Sequence, residues 1–304
     1  SAPPGQRSAL VCRHPLDGSA PRVLGRWKPH DLTGWDLDPS GAWLLSIQGG
    51  RVLQHRLDAL AAPGRVIGTH EGKQVSVTQR PWYDRLVSSD DRGEVRIWNV
   101  ASARLERTLR SPADAGVVAL DPTGRLVATG PFVTAPPRSL YLFDLNAPRS
   151  SEPVPLLGTG VTGIASMAFS PDGSWLASNH GQSVMLWNVT GPRSSVIGRQ
   201  KSPEVAVAVT PDGRHVLSTS VEGVLRRWPL DPADGEGVRT LWTWPGGTPG
   251  PPLVEPKGRF VLLTETEGVI HVVPLDGSPP RTHRFARPEG PSLAAYAGNL
   301  DPSG

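Results

Sequence analysis

The chain has little cysteine, little lysine and no long apolar run. Its single thiol, Cys12, rules out an internal disulfide and any cysteine-based zinc cluster, and reads as a small buried hydrophobe. No stretch approaches the roughly 18 consecutive apolar residues of a membrane-crossing helix, so no such segment is expected in this chain. Lysine occurs only at positions 28, 73, 201 and 257, against 27 arginines. No five like charges stand together and the net charge is +3 over 304 residues, so no nucleic-acid-binding tail is indicated. The arginine excess, with abundant Ala, Gly and Pro, reads as GC-rich coding. A secretory leader pattern is missing, but the chain starts at Ser1 rather than Met, so location is not legible from that end. A cytoplasmic location is the expectation.

Turn formers, in contrast, are abundant. Glycine (34) and proline (33) together far exceed the roughly 12% usual for the pair. Frequent proline forbids long helices, because each one removes an N–H donor and crowds the preceding turn. An apolar fraction of 38% with ten Trp is still enough for a packed core. These turn formers are periodic. The pattern x-Pro-x-Gly recurs at 38–41, 121–124, 170–173, 210–213, 255–258 and 301–304, with a degenerate copy at 80–84, and its prolines lie 40 to 49 residues apart. Proline presets φ at the first turn position, and glycine accepts the positive φ of a tight hairpin.

A second landmark runs in phase with the first. Val-Arg-Ile-Trp-Asn-Val at 95–100, Val-Met-Leu-Trp-Asn-Val at 184–189 and Leu-Arg-Arg-Trp-Pro-Leu at 225–230 are apolar runs centred on Trp98, Trp187 and Trp228. Weaker copies centre on His55, Phe143 and Val273, and His14 precedes them all; these anchors are 41 to 45 residues apart. Alternation such as Val95/Ile97 against Glu94/Arg96 is the period-2 signal of a strand. Four short strands are predicted within one period, at 163–169, 175–178, 183–188 and 194–198. Four antiparallel strands joined by hairpins form one propeller blade.

The segments 167–178 and 184–189 resemble WD40 repeats, and the resemblance extends over essentially the whole chain as about seven units. The Trp-Asp dipeptide of that family occurs as Trp-Asn at 98–99 and 187–188, whereas Trp35-Asp36 precedes a turn and belongs to the first strand of its unit. The resemblance implies an all-β, seven-bladed β-propeller of four-stranded antiparallel blades with an incomplete closing blade. Its blades are expected at about 33–70, 74–110, 116–158, 163–199, 203–243 and 251–286, with the closing blade drawn from 9–26 plus 291–304. Seven blades need about 28 strands and the chain supplies about 27, because the second strand of the closing blade is missing. The expectation is a segment of a longer repeat array; the other reading, a complete chain in which 1–6 fills that place, stays open. The family's structural tetrad maps onto His70, Ser88, Asp90 or Asp91 (Asp91 is preferred) and Trp98. The fifth unit offers Ser218, Glu222 and Trp228 without a histidine.

Enzyme motifs are absent. The eight histidines show no His-x-His or His-Glu-x-x-His spacing, and there is no Gly-x-Ser-x-Gly elbow or phosphate-cradling Gly-x-x-x-x-Gly-Lys. No cofactor and no metal site is expected. Candidate partner-binding residues lie in loops that share one end of the blades: Trp27, Lys28 and His30; His70, Glu71 and Lys73; Arg199, Gln200 and Lys201; and the hairpin residues Arg92 and Glu222. Exposed Trp and Arg are frequent interface hot spots. The expected function is a non-catalytic, monomeric protein-interaction scaffold, without nucleic acid as partner. Its arginine-rich style resembles WD40 regions of large bacterial multidomain proteins. The alternative is a small-molecule-binding or catalytic propeller with its site in the central channel. That alternative requires polar first strands, yet Ala-Val-Ala-Val at 206–209 and Val-Val-Ala-Leu at 117–120 are small and apolar.

Overall fold

A computed structural model of the chain describes residues 9–13, 22–27, 34–37, 42–60, 62–72, 75–79, 85–112, 114–131, 139–149, 151–156, 163–190, 194–199, 204–231, 235–244, 250–265 and 269–284. Everything regular in them is β apart from one 3₁₀ turn, Leu57–Ala59. The first two strands, β1 (Ala9–Arg13) and β2 (Arg22–Trp27), form a two-stranded antiparallel sheet. Six four-stranded sheets follow, each made of four consecutive strands in order. The first holds β3 (Gly34–Leu37), β4 (Trp43–Gln48), β5 (Arg51–Arg56) and β6 (Arg65–Thr69). The second holds β7 (Val75–Gln79), β8 (Arg85–Asp90), β9 (Glu94–Asn99) and β10 (Arg104–Arg110). The third holds β11 (Val117–Leu120), β12 (Leu126–Gly130), β13 (Leu140–Asp144) and β14 (Val154–Leu156). The fourth holds β15 (Ile164–Phe169), β16 (Trp175–His180), β17 (Ser183–Asn188) and β18 (Ser194–Arg199). The fifth holds β19 (Glu204–Val209), β20 (His215–Ser220), β21 (Val224–Pro229) and β22 (Arg239–Thr243). The sixth holds β23 (Leu253–Val254), β24 (Phe260–Thr264), β25 (Val269–Pro274) and β26 (Arg281–Arg284). Residues 291–304, assigned from the sequence to a closing blade, lie outside the described residues.

The turn joining first and second strands explains the x-Pro-x-Gly signal. In all six sheets it has the same length, five residues, as at 121–125, 170–174 and 210–214. The x side chain reaches over the turn to accept backbone N–H groups. Asp121 takes those of Thr123, Arg125 and Leu126; Ser170 takes Trp175, Thr210 takes His215, and Glu255 takes Lys257 and Arg259. Its glycine sits at φ +68 to +72° in four copies (Gly124, Gly173, Gly213 and Gly258), where a Cβ is strained. Successive turns also touch: a Cβ on Gly213 would lie 3.7 Å from Pro171, and one on Gly258 3.7 Å from Pro211. The turns therefore form a continuous arc at one end of the sheets.

Between each pair of consecutive four-stranded sheets lies a separate apolar core. Leu45, Val52 and Ile67 of the first meet Leu86, Trp98 and Val100 of the second. The other four interfaces repeat this with Ile97 and Phe143, with Leu142 and Trp187, with Leu186 and Trp228, and with Leu225 and Val273. The repeat anchors share one rung of the ladder: Leu44 faces His55, Leu86 faces Trp98, Val127 faces Phe143, Leu176 faces Trp187, Val216 faces Trp228 and Val261 faces Val273.

Two devices couple a sheet to the next. A β-bulge in the fourth strand turns Ile67 and Ile197 toward the core and leaves a glycine flush against the next sheet's Trp. Gly68 lies under Trp98 and Gly198 under Trp228, so closely that a Cβ would fall 2.0 and 1.7 Å from the indole. The second device is an arginine of the fourth strand that donates to turn carbonyls of the next sheet. Arg65 Nη2 reaches the Ala101 oxygen at 3.0 Å, and Arg107 holds the oxygens of Leu145 (2.8 Å), Ala147 (3.2 Å) and Pro148 (3.1 Å). Part of the arginine excess thus has a structural use.

Candidate interaction face

Hairpins between second and third strands, and the loops leading from one sheet into the next, share the end opposite the arc of turns. The best-defined part is at the second sheet. Trp98 Nε1 donates to Ser88 Oγ at 2.7 Å, and Ser88 Oγ lies 2.7 Å from His70 Nε2. Asp90 Oδ2, a carboxylate oxygen, can only accept, so the ring proton of His70 sits on the Nδ1 that faces it, and Nε2 accepts from the serine hydroxyl. His70 is then neutral with its proton on Nδ1, which faces Asp90 Oδ2 at 3.2 Å. Burial lowers the His70 pKa against the opposing pull of Asp90, in keeping with a neutral ring.

The carboxylate in this relay is Asp90 and not Asp91, which the sequence reading had preferred. Asp90 ends β8 two residues after Ser88 and so shares its face, whereas Asp91 falls in the turn. Asp90 also caps both loops of the site. Its Oδ1 accepts from the backbone of Arg92 and Glu94 at 3.0 Å each, and its Oδ2 from Gly72 at 3.3 Å. The loop carrying His70 is tied to the neighbouring hairpin by His70 N to Gly50 O, 2.7 Å. A line of hydrogen bonds therefore runs from the core indole to the surface loops.

The other sheets rewire the same positions in ways no repeat pattern announces. In the fourth, Trp187 donates to Ser178 at 2.7 Å, and His180, standing where Asp90 stands, turns back to Ser178 at 2.7 Å. The strand there extends to His180, two residues past the predicted end. In the sixth, Glu265 holds the carboxylate position and meets His271 of the adjacent strand at 2.6 Å, beside Trp242 with ring centroids 4.4 Å apart. The fifth keeps Trp228 to Ser218 at 2.8 Å, but Ser220 occupies the carboxylate position and Glu222 is exposed in the hairpin. His55 fills the Trp position of the first sheet and meets Ser46 at 2.9 Å.

Of the proposed rim residues, Arg92 and Arg199 have described side chains, and both are exposed at this end. Trp27 ends β2 opposite Ala9, its side chain outside the described residues; Lys28, His30, Lys73 and Lys201 also lie outside them. Arg92 pairs with Glu71 at 3.2 Å, and Arg110 with Glu94 at 3.1 Å. Glu94 is also paired with Arg96, whose guanidinium lies over the Trp98 ring and donates to the Thr69 oxygen. Exposed pairs like Arg92–Glu71 contribute only about 0–1 kcal/mol to stability, so they can be exchanged for a partner's charges at little cost. Among the described residues no group of three or more His, Cys, Asp or Glu is arranged to hold a metal, and no helix is long and apolar enough to cross a membrane.

Residues 155–188 match the family model for the WD domain, G-beta repeat. A guanine nucleotide-binding protein subunit beta of Solanum tuberosum is 30% identical over 142 residues, which is 44% of this chain and 37% of that protein. A WD repeat-containing protein 26 homolog of Arabidopsis thaliana is 32% identical over 74 residues, 22% of this chain and 12% of that protein. The chain thus spans well under half the length of the curated relatives it matches. Among solved structures, a chain of the mitotic checkpoint complex superposes with a TM-score of 0.70 at 15% identity, covering 90% of this chain and 82% of that one. A chain of Kuenenia stuttgartiensis hydrazine synthase reaches 0.62 at 15% identity, covering 81% and 77%. At such identity these two speak to the fold, which is that of a β-propeller.

Proposed function

We propose that this β-propeller, in which residues 155–188 match the WD-domain repeat, is a non-catalytic scaffold that presents its loop end to protein partners. The observation that carries this reading is the relay from Trp98 through Ser88 and His70 to Asp90, which fixes two loops at once before any partner arrives. Pre-organised loops lose little entropy on binding. Exposed Arg92, Glu71, Arg199 and Glu222 supply exchangeable charge around them. The relatives named for G-protein beta subunits and the checkpoint-complex neighbour are in keeping with assembly on other proteins. A site in the central channel is less well supported, since β11 is wholly buried and apolar and Ala206 and Val207 of β19 are buried. In this reading the chain is a seven-bladed unit within a larger cytoplasmic bacterial protein.

Site-specific photo-crosslinking tests the reading. A crosslinker at Arg92, Arg199 or Glu222 should capture discrete protein adducts, whereas one at Lys257 in the arc of turns should not. Adducts from the turn position alone would overturn it.

A further inference from the structure

The pair formed by Glu265 and His271 in the sixth sheet extends to a third group. Glu265 Oε1 lies 2.6 Å from His271 Nε2, and His271 Nδ1 lies 2.9 Å from Thr282 Oγ1 on the edge strand β26. A carboxylate oxygen only accepts, so the neutral ring carries its proton on Nε2. The lone pair of Nδ1 then accepts the Thr282 hydroxyl. His271 and Thr282 are direct cross-strand partners, so the ladder itself sets this contact. The members of the relay differ in exposure. The His271 side chain is 6% exposed and that of Glu265 13%, whereas Thr282 is open to solvent. Trp242 packs on the imidazole with ring centroids 4.4 Å apart, and Trp244 lies 6.0 Å away. The base is thus held in one orientation under two indoles, while the hydroxyl it serves faces outward.

We propose that Thr282 is a modification site, a hydroxyl primed to take an acyl group from an activated ester. A carboxylate that orients an imidazole, and an imidazole that accepts from a hydroxyl, are the parts that turn an alcohol into a nucleophile. Thr282 Oγ1 attacks the ester carbonyl carbon, and its proton moves to His271 Nδ1. The bond from that carbon to the leaving oxygen then breaks, and His271 returns the proton to this oxygen. The products are an O-acyl threonine and a free alcohol, with His271 neutral again. Arg284 is exposed on the same face of β26, two residues on, and its positive charge favours the oxyanion that forms on the way. The step modifies the chain itself rather than turning over a substrate, so it goes beyond the scaffold reading and does not rest on it.

The test incubates the whole chain with 4-nitrophenyl acetate, quenches in acid and maps acetyl groups by peptide mass spectrometry. The comparison residue is Thr243, exposed on β22 and without a histidine partner among the described residues. Thr282 should be acetylated about a hundredfold faster than Thr243, the contribution expected of a positioned base. His271→Gln should bring Thr282 down to the Thr243 rate, and Glu265→Ala should slow it as well, because the ring then loses the group that fixes its tautomer. Thr282→Ser keeps the hydroxyl and should keep the label at that position. The comparison of two threonines within the parent protein needs no variant to fold. Equal rates at Thr282 and Thr243, or undiminished labelling in His271→Gln, would overturn the proposal.

Discussion

Gly198→Ala adds a single methyl group on the outer strand of the fourth sheet. In most strands this exchange stabilises, by about 0.4–1 kcal/mol, because the unfolded chain loses freedom. Here the new carbon would lie 1.7 Å from Cζ3 of Trp228, 2.4 Å from Cη2 and 2.5 Å from Cε3. The indole cannot give way freely. It is buried among Ala177, Leu186 and Val216, and its N–H donates to Ser218 at 2.8 Å. Overpacking of this kind costs about 1–3 kcal/mol, and a displaced indole also leaves a buried donor unpaired at a further 1–3 kcal/mol or so. The net expectation is a loss of about 3 kcal/mol. In thermal unfolding followed by tryptophan fluorescence this is a fall of roughly 6 °C for a chain of this size. Gly237→Ala, where nothing lies within 4 Å, is the control and should stay within about 0.5 kcal/mol of the parent. Trp228→Phe lacks the outer ring carbons, so Gly198→Ala should cost much less in that background. A Gly198→Ala protein that melts at or above the parent would refute the seat.

Three further outcomes follow from the same geometry. His70 and His55 both have pKa values lowered from 6.5 by burial, so the unfolded chain binds their protons first as pH falls. Stability should be intact above pH 6.5 and decline below it through the folded-state pKa; a urea midpoint equal at pH 7.5 and pH 5 would contradict this. Asp121→Ala strands the N–H groups of Thr123, Arg125 and Leu126 and should cost about 1–3 kcal/mol in urea unfolding, more than Asp121→Asn, which keeps an acceptor. Arg107→Met should speed amide hydrogen exchange at Leu145 and Ala147 in the turn it braces, whereas Arg65→Met, which holds one carbonyl at 3.0 Å and another at 3.5 Å, should have the smaller effect on its own turn.

The turns and strands were legible because they are local. Proline and glycine specify the five-residue turn within its own span, and period-2 alternation marks which residues share a face. This located Trp98, Trp187 and Trp228, and even His55 and Phe143 as occupants of the same rung. What stayed hidden depends on neighbours far along the chain. Gly68 is informative only beside Trp98, and Arg107 only beside the turn at 145–148. The choice between Asp90 and Asp91 depends on where β8 ends, a boundary that periodicity leaves open by a residue or two. His180 could have been suspected, since it stands two residues beyond Ser178 as Asp90 does beyond Ser88. The pairing of Glu265 with His271 had no such signal.

The constant turns also govern how such a molecule can change over time. All six first-to-second connections have five residues, whereas second-to-third hairpins range from two residues at 49–50 to nine at 131–139. Lengthening a turn in the arc would unseat its glycine from the proline before it and misalign every sheet downstream. Length variation is therefore kept out of these turns and falls in the other connections, including the third-to-fourth ones, which run from four residues at 100–103 to nine at 145–153. At the arc the smallest tolerated insertion or deletion is one whole sheet, since a new copy brings both a proline for its successor and a glycine for its predecessor.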